Sequence, residues 1–504
     1  SVSLSNQHVY SCLICGKYFQ GRGKNTHAYT HSVQQGHHVF INLETTRVYC
    51  LPDGYEVIDS SLDDIKRALN PQFSGLDLSR LDSNTTLARD QYGVAYLPGF
   101  VGLNNLKATD FVNVTLHALA HYPADGLVSD APDFFLRPSN YASSKDPLVH
   151  AFGEVMRRIW SKDNFKSAVS PHEFLQAVST ASKKQFHIGQ QAECIDFMSW
   201  LLNSLHRGLG GTRKPNSSII YKTFQGIVHL DTYTKKKAGI SDPAEGVEES
   251  KGSMEITSDD PLSGFTMISQ DIPFLHLQLD IPPTPLFKDS NGGNIIPQIP
   301  LFNVLEKFDG SKLSDVVKDG HLTRRRYSPA RLPPFLIFHL ARFTKNNFYK
   351  EKNPTIVTFP VKTLDLKDYF KPGDLGLPSE ESLPGMSVKE LKHVLKVRGV
   401  GSADCVERAH LEKRVKETIS GELSTKYDLV ANVCHDSPPG QGKEGQMDPL
   451  QGGTYRVHVV NKASDQWYEL QDLHVQESMP QLIALSESYV LVYEKRREQS
   501  NSEA

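Results

Sequence analysis

The stretch Gly102-Leu-Asn-Asn-Leu-Lys-Ala-Thr-Asp-Phe-Val-Asn113 decides how the rest of the chain is read. Leu106, Val112, Leu116 and Leu119 recur near helical spacing, so residues 109–121 are predicted to form a helix. Asp110 then falls in its first turn, where a carboxylate complements the partial positive charge of the helix N-terminus. Helical patterns continue downstream. Residues 146–160 carry one, and residues 170–182 carry another, opened by Ser170 as N-cap and Pro171 at the first position. Residues 192–209 form an amphipathic helix closed by Gly210-Gly211. Strand patterns come later, at 335–340, 356–359, 427–433, 455–460 and 489–493. Helices first and strands afterwards predict an α+β fold and not a regular βαβ alternation.

Composition narrows the class. The chain has 504 residues, which corresponds to about two to four domains. With 55 basic and 58 acidic residues the net charge is −3, so neither whole-surface nucleic-acid binding nor an acidic solvating tail is indicated. An apolar share of 38% is enough for a real core and excludes global disorder. No apolar run approaches the roughly 18 residues of a membrane span, so no membrane partner is expected. The first residues lack the charged-then-apolar order of a signal peptide, and they lack Met, so the chain is expected to be a trimmed piece. Six cysteines are too few for a secreted disulfide scaffold and point to a reducing compartment.

The N-terminal residues concentrate metal-binding side chains. Cys12-Leu-Ile-Cys15 is a CxxC knuckle, followed by His31 after fifteen residues and His37 after five more. Two thiolates and two imidazoles at this spacing can close a tetrahedral, structural Zn2+ site. Such a site would stabilise a segment too small for its own core. His27 and Cys50 are candidates for an additional site, whereas His38 reads as a neighbour.

Two stretches read as insertions. Residues 235–263 are polar with acidic runs and are expected to be a mobile loop. Residues 372–385 form a second Gly/Pro/Ser loop leading into 387–417, where Val388, Leu391, Val394 and Leu395 repeat at helical spacing. Arg398-Gly399 breaks that helix, and 407–417 can form another. The pair resembles the helical hairpin called SAP, a module that often binds nucleic acid; a hairpin packed on its host is the alternative. The basic runs Arg324-Arg-Arg326 with Arg331, and Lys235-Lys-Lys237, can meet RNA phosphates or stand as solvated loops. Phe343, Phe348 and Tyr349 near Lys345 can form a stacking patch or belong to a core strand and its turn.

Two resemblances add to this reading. Cys12–Cys15, Gly16-Lys-Tyr-Phe-Gln-Gly-Arg22, His27, His31, His37 and Val48-Tyr-Cys50 resemble the UBP-type zinc finger, which accompanies deubiquitinases and often grips the ubiquitin C-terminal tail. Gln20 departs from it, standing where many relatives have a zinc-binding Cys, and the upstream Cys pair is absent. From residue 96 to 495, the chain resembles the ubiquitin-specific protease fold, a papain-like thumb–palm–fingers architecture. Four blocks carry that likeness. They are the opening stretch, then Gln191 through Asp196-Phe197 to Leu205-His206, then Leu332-Pro-Pro-Phe-Leu-Ile-Phe-His-Leu-Ala-Arg-Phe343 with Val357-Thr-Phe-Pro360, and last Tyr427-Asp-Leu-Val-Ala-Asn-Val433 with Gly453-Thr-Tyr455 and Trp467-Tyr-Glu-Leu-Gln-Asp472.

The resemblance implies a Cys nucleophile, a His base, an orienting Asp or Asn, and an oxyanion-side Asn. In this sequence those positions are Asp110, Thr454, Gln471 (with Asp472 next to it) and Ala108. A carboxylate is a weak nucleophile towards an amide, a Thr cannot take a proton near pH 7, and Ala donates nothing. Cys194 reads as a core residue, Cys405 lies in the inserted hairpin, and Cys434 and His435 point to opposite faces of a strand, so none restores the chemistry. Between Phe224 and Phe265 there is no Cys for a second zinc site in the fingers.

Asn42-Leu43, Val48-Tyr-Cys-Leu-Pro-Asp53, Asp59-Ser-Ser-Leu-Asp-Asp64 and Phe343-Thr-Lys-Asn-Asn-Phe348 are similar to the splicing-associated, tri-snRNP-associated branch of these proteins. That branch is nuclear and lacks a working triad. The likeness implies a non-catalytic spliceosomal pseudoenzyme with tri-snRNP proteins and small nuclear RNA as partners. It also implies residues 1–70 as the finger, 71–95 as a linker, 96–495 as the protease-like domain and 373–424 as an insertion. The alternatives are a ubiquitin-binding module that does not cleave, and a residual cysteine deubiquitinase.

Overall fold

The computed structural model describes residues 8–121, 131–235, 265–283, 296–318, 321–345, 350–372, 377–398, 400, 402, 405, 407–437 and 448–496. Near the N-terminus, alternating burial turns Tyr10 and Cys12 inward along β1 (Val9–Cys12). With β2 (Tyr18–Gln20), β3 (Val39–Asn42), β4 (Val48–Cys50) and β5 (Glu56–Val57) it forms an antiparallel sheet in the order β2-β1-β3-β4-β5. One helix, α1 (His27–Gln35), covers it and stops at Gly36, whose φ of 67° is the left-handed cap that glycine adopts without strain. Tyr10, Cys12, Ala28, Phe40 and Leu51 make a small core of their own.

The segment expected to be a plain linker carries structure. After α2 (Asp63–Leu69), α3 (Gly75–Ser79) is opened by a reciprocal Ser74–Asp77 capping box. Leu78 of α3 joins the core of the following domain, and residues 88–89 and 95–96 pair as a short hairpin. Ion pairs Arg67–Asp163 at 3.3 Å and Lys162–Asp77 at 3.1 Å tie these helices down.

The helices of the main domain follow the predicted order. The four that the sequence pattern picked out are α4 (Asp110–Ala120), α5 (Pro147–Trp160), α6 (His172–Ala181) and α7 (Cys194–Gly208), and shorter helices such as Ile219–Phe224 and Leu301–Leu305 accompany them. Asp146 caps α5 through the Leu148 N–H. The cap of α6 is Pro171 and not Ser170, so that helix starts one residue later than its sequence signal. All eleven residues of α4 are buried, because it packs between the main sheet and α7.

That sheet is built from β8 (Leu277–Asp280), β11 (Phe335–Ala341), β12 (Lys426–Asp436), β13 (Thr454–Asn461), β14 (Gln466–Gln471), β15 (His474–Ser478) and β16 (Ser488–Lys495). Their order is β8-β11-β16-β12-β13-β14-β15, with residues 364–365 pairing onto β12. Only the β8–β11 pair is parallel among these neighbours. A second sheet, in the order β7-β6-β10-β9, joins β6 (Gly226–Lys235), β7 (Phe265–Phe274), β9 (Ser314–Lys318) and β10 (His321–Arg331). Of the expected loop at 235–263, Lys235 ends β6 and the remainder lies outside the described residues.

The insertion folds as a helical pair. Residues 380–385 form a 3-10 turn where a loop was expected, and α8 (Val388–Arg398) and α9 (Arg408–Leu423) follow, the second ending six residues beyond its sequence pattern. Leu383, Leu391, Leu395, Cys405, Leu411, Val415 and Ile419 form its separate core, whereas Val388 faces solvent. Its base is fastened by Arg398–Glu422 at 3.3 Å and by Lys495 Nζ donating to the Leu332 and Glu422 carbonyls.

Candidate functional site

The residues picked out around α4 converge where its first turn meets β13. Lys107 and Ala108 have φ of 84° and 51°, a left-handed pair that swings the chain into the helix. Thr109 closes this turn: its backbone N–H donates to Asn105 Oδ1 and its hydroxyl accepts from Leu106 N. Gly102 lies so close to the sheet that a Cβ there would meet the Leu473 Cα at 2.9 Å. The Leu103 N–H donates to the Asp472 carbonyl at 2.8 Å.

Asp110 is 3% exposed, and both its oxygens are engaged. Oδ2 accepts the Tyr455 backbone N–H at 2.8 Å, and Oδ1 accepts Gln191 Nε2 at 2.8 Å. Burial raises its pKa above the usual carboxylate range, and Asp472 adds to the rise, while the two hydrogen bonds oppose it. Asp472 takes Asn113 Nδ2 at 2.8 Å and Asn105 Nδ2 at 3.0 Å. Gln471 Nε2 donates to Thr454 Oγ1 at 3.2 Å. A hydroxyl held by an amide has neither a base to activate it nor a thiol to serve.

Further bonds join the helical side to the sheet side across this junction. Glu193 accepts Lys350 Nζ at 3.1 Å and the Tyr489 hydroxyl at 3.0 Å. Gln451 Nε2 reaches the Gln191 carbonyl at 3.4 Å. The Tyr455 hydroxyl accepts the Cys194 N–H at 3.3 Å.

Neither cysteine of the main sheet and its helices is poised to react. Cys194 starts α7, fully buried 3.3 Å from the Thr115 hydroxyl, and burial pushes its thiol up to about 12. Cys434 and His435 do diverge, as strand alternation predicts. However, Cys434 Sγ lies 3.8 Å from His458 Nδ1, and His458 Nε2 is 3.0 Å from Glu469. Sequence reading missed this set because it is a diagonal cross-strand contact between β12 and β13, where Cys434 pairs with Arg456. Burial opposes a charge on His458, yet the Cys434 and Glu469 partners outweigh it and push its pKa up to about 9. Cys434 is 0% exposed, so no substrate reaches it.

In the N-terminal sheet, one ligand atom from each of Cys12, Cys15, His31 and His37 lies within 4.8 Å of the others. Cys15 Sγ is 3.3 Å from His31 Nε2, Cys12 Sγ is 3.6 Å from His37 Nδ1, and the two imidazoles approach to 3.1 Å. Two thiols and two imidazoles around one point fit a closed zinc site, and Phe19 stacks on His31 at 4.3 Å to hold its ring. His27 and Cys50 are not drawn into this or any other such group among the described residues. His38 is occupied by the Leu51 carbonyl at 2.8 Å.

Three of the four arginines picked out on β10 have partners within the molecule. Arg326 holds Asp231 through Nε at 3.2 Å and Nη2 at 2.9 Å, Arg324 pairs with Asp315 at 3.3 Å, and Arg331 donates to Asn216. Phe343 is partly buried and packs against His435 and Tyr489 at the edge of the main core. Phe348, Tyr349, Lys236 and Lys237 lie outside the described residues. No helix among the described residues is long and apolar enough to cross a membrane.

Comparison with known proteins agrees with this architecture. The family described as "Ubiquitin carboxyl-terminal hydrolase" matches residues 101–493, and "Zn-finger in ubiquitin-hydrolases and other protein" matches residues 1–62. The chain is 42% identical over 505 residues to the mouse protein "Ubiquitin carboxyl-terminal hydrolase 39", covering 98% of this chain and 76% of that one. It is 35% identical to the fission-yeast "Probable mRNA-splicing protein ubp10", covering 98% of this chain and 84% of the relative. Its fold is similar to a solved structure titled "Crystal structure of an essential yeast splicing factor", with a TM-score of 0.65, 23% identity, and 98% and 94% of the two chains covered.

Proposed function

The chain belongs to the ubiquitin carboxyl-terminal hydrolase family, and on that basis we propose that it is a non-catalytic factor of pre-mRNA splicing. It acts in the nucleus through protein contacts that support assembly and stability of the tri-snRNP, with small nuclear RNA close by. The observation that carries the loss of catalysis is Asp110. At the position where the family's nucleophile stands, a buried carboxylate is committed at both oxygens to Tyr455 and Gln191. Ala108, Thr454 and Gln471 complete a site with no thiolate, no base and no oxyanion amide. The splicing role rests on the name of the fission-yeast relative, which is similar over nearly the whole chain.

In this reading residues 1–70 are a finger whose Cys12, Cys15, His31 and His37 hold one structural zinc ion. Residues 71–95 join it to a pseudo-protease of 96–495, and 373–424 are an insertion. The bonds of Glu193 and Gln451 across the junction favour this scaffold over a module that receives a ubiquitin tail there. The test is a pull-down of tagged protein from nuclear extract, with mass spectrometry and RNA analysis. Tri-snRNP proteins and small nuclear RNAs are expected. Ubiquitin conjugates without spliceosomal components would overturn the proposal, as would cleavage of ubiquitin chains that a thiol reagent abolishes.

A further inference from the structure

The segment that joins the finger to the main domain leaves a space beneath it. Between residues 71–88 and the end of α5 is a cavity of about 520 Å3, within the range of about 300–1,000 Å3 found for ligand pockets. Phe73, Leu81, Leu87 and Trp160 supply its apolar wall. Most of that wall is fixed in place. Trp160 Nε1 donates to the Ala120 carbonyl at 3.0 Å, and a Cβ on Gly99, whose φ is 92°, would meet the indole at 2.6 Å. Phe73 and Leu81 are partly buried against the main core. Leu87 is instead 61% exposed, and Leu76, next to Asp77 on α3, is 69% exposed. Apolar surface therefore continues along the segment beyond the cavity. The charges of the lining cancel, save one. Asp77 pairs with Lys162 at 3.1 Å, and Asp163 pairs with Arg67 at 3.3 Å. Arg80 lines the same cavity, and its guanidinium has no hydrogen bond or ion pair among the described residues.

We propose that this cavity binds an extended segment of a partner protein, which inserts a large apolar side chain against Leu87 and Trp160 and sets a neighbouring carboxylate on Arg80. The apolar anchor supplies the affinity and the carboxylate the specificity, since a guanidinium fork matches a carboxylate bidentately. The lining selects this occupant. A nucleic acid would bring a row of phosphates to one uncommitted cation, with the carboxylates of Asp77 and Asp163 in the same wall. A small compound that filled the cavity would leave Leu76 and the outer part of Leu87 in water, whereas a chain running across the mouth covers them. Gln72, Asn84 and Thr86 also line the cavity and offer amide and hydroxyl groups to a peptide backbone. This site lies apart from the Asp110 junction and does not rest on the splicing reading.

The test pans the full chain against a phage-displayed library of random peptides, with Leu87→Asp protein as the counter-selection. Enriched peptides are expected to carry a large apolar residue within a few positions of Asp or Glu. A fluorescent copy of the commonest peptide is then titrated by anisotropy. Leu87→Asp and Arg80→Glu are each expected to weaken it about tenfold, the scale of losing one anchor contact. Changing the peptide's acidic residue to Lys should lower affinity for wild type and restore it for Arg80→Glu. Lys392→Glu, at an exposed site on α8, should change nothing. Both substituted cavity residues are exposed, and equal melting curves exclude unfolding as the cause. No enrichment over the Leu87→Asp protein, enriched peptides without an acidic residue, or failure of the charge swap overturns the proposal. Displacement of the peptide by a single-stranded RNA overturns it in favour of a nucleic acid. A dimer in light scattering that Leu87→Asp dissolves overturns it in favour of a second copy of the chain. The assay contains no spliceosomal component, so its failure leaves the splicing reading standing, and the nuclear pull-down tests that reading separately.

Discussion

The Asp110 carboxylate accepts the Tyr455 backbone N–H at 2.8 Å and so ties the first turn of α4 to the start of β13. The same carboxylate holds Gln191 Nε2, which fixes the segment leading into α7. A single side chain therefore joins three elements at one junction. Buried and bonded in this way it stabilises the closed arrangement, and stripped of its partners it would be a costly isolated charge.

Removing the carboxylate should be felt as lost stability. Asp110→Ala leaves the Tyr455 N–H and the Gln191 amide without their acceptor. Each buried unsatisfied group costs about 1–3 kcal/mol. Urea unfolding should therefore show a loss of about 2–4 kcal/mol, and Asp110→Asn, which keeps an acceptor oxygen, should lose less. Asp110→Cys should cleave no ubiquitin chain, because Thr454 supplies no base.

Lys495 makes stability depend on pH in a defined direction. Burial pulls its pKa down to about 7 from 10.5, with Glu422 opposing the fall and Arg331 adding to it. Between those values the unfolded chain binds the proton and the folded chain does not, so stability rises as pH rises from about 7 towards 10.5. Below about 7 this contribution stays flat. Lys495→Met should remove this slope in denaturant titrations taken across the alkaline range. A slope that persists in the variant would assign it to another group.

Metal removal should act locally. Atomic absorption is expected to find one zinc per chain, and His37→Ala or Cys12→Ser should abolish it. Chelation should expose the amides of residues 8–57 to hydrogen exchange, while the main sheet keeps its protection, since the two have separate hydrophobic cores.

Thiol labelling should sort the cysteines by burial. In zinc-loaded protein Cys50, which is half-buried, is expected to react first, while Cys194 and Cys434 react only after unfolding. Fast native labelling of Cys434 would contradict its enclosure against Ser486 and His458.

The inserted hairpin should melt independently of its host. Leu395→Ala removes a fully buried side chain from its core and should cost the hairpin about 2–5 kcal/mol. Hydrogen exchange should rise in α8 and α9 and stay unchanged in β12 and β16.

Much of this arrangement could be read locally. The helical spacing of Leu106, Val112, Leu116 and Leu119 placed α4 within a residue at each end. The strand patterns at 335–340 and 489–493 became the paired strands β11 and β16. Where reading went astray, tertiary context had overruled a local signal. Ser170 is a good cap residue, yet the helix starts after Pro171. Arg324 and Arg326 of β10 look like part of a solvent-facing basic run, yet cross-strand carboxylates take them up.

The order of residues along the chain was enough to set the main helices and strands and to pick out Cys12, Cys15, His31 and His37, which the fold gathers into one cluster. Periodicity, ligand spacing and residue identity are all properties of short stretches. Which partners Asp110 and Cys434 meet was decided by the folded arrangement alone. Asp110 meets Gln191 across 81 residues and Tyr455 across 345, and Cys434 meets His458 across a strand pair. Hydrogen-bond partners so far apart in the chain are brought together by sheet register and helix packing, and no local pattern encodes them.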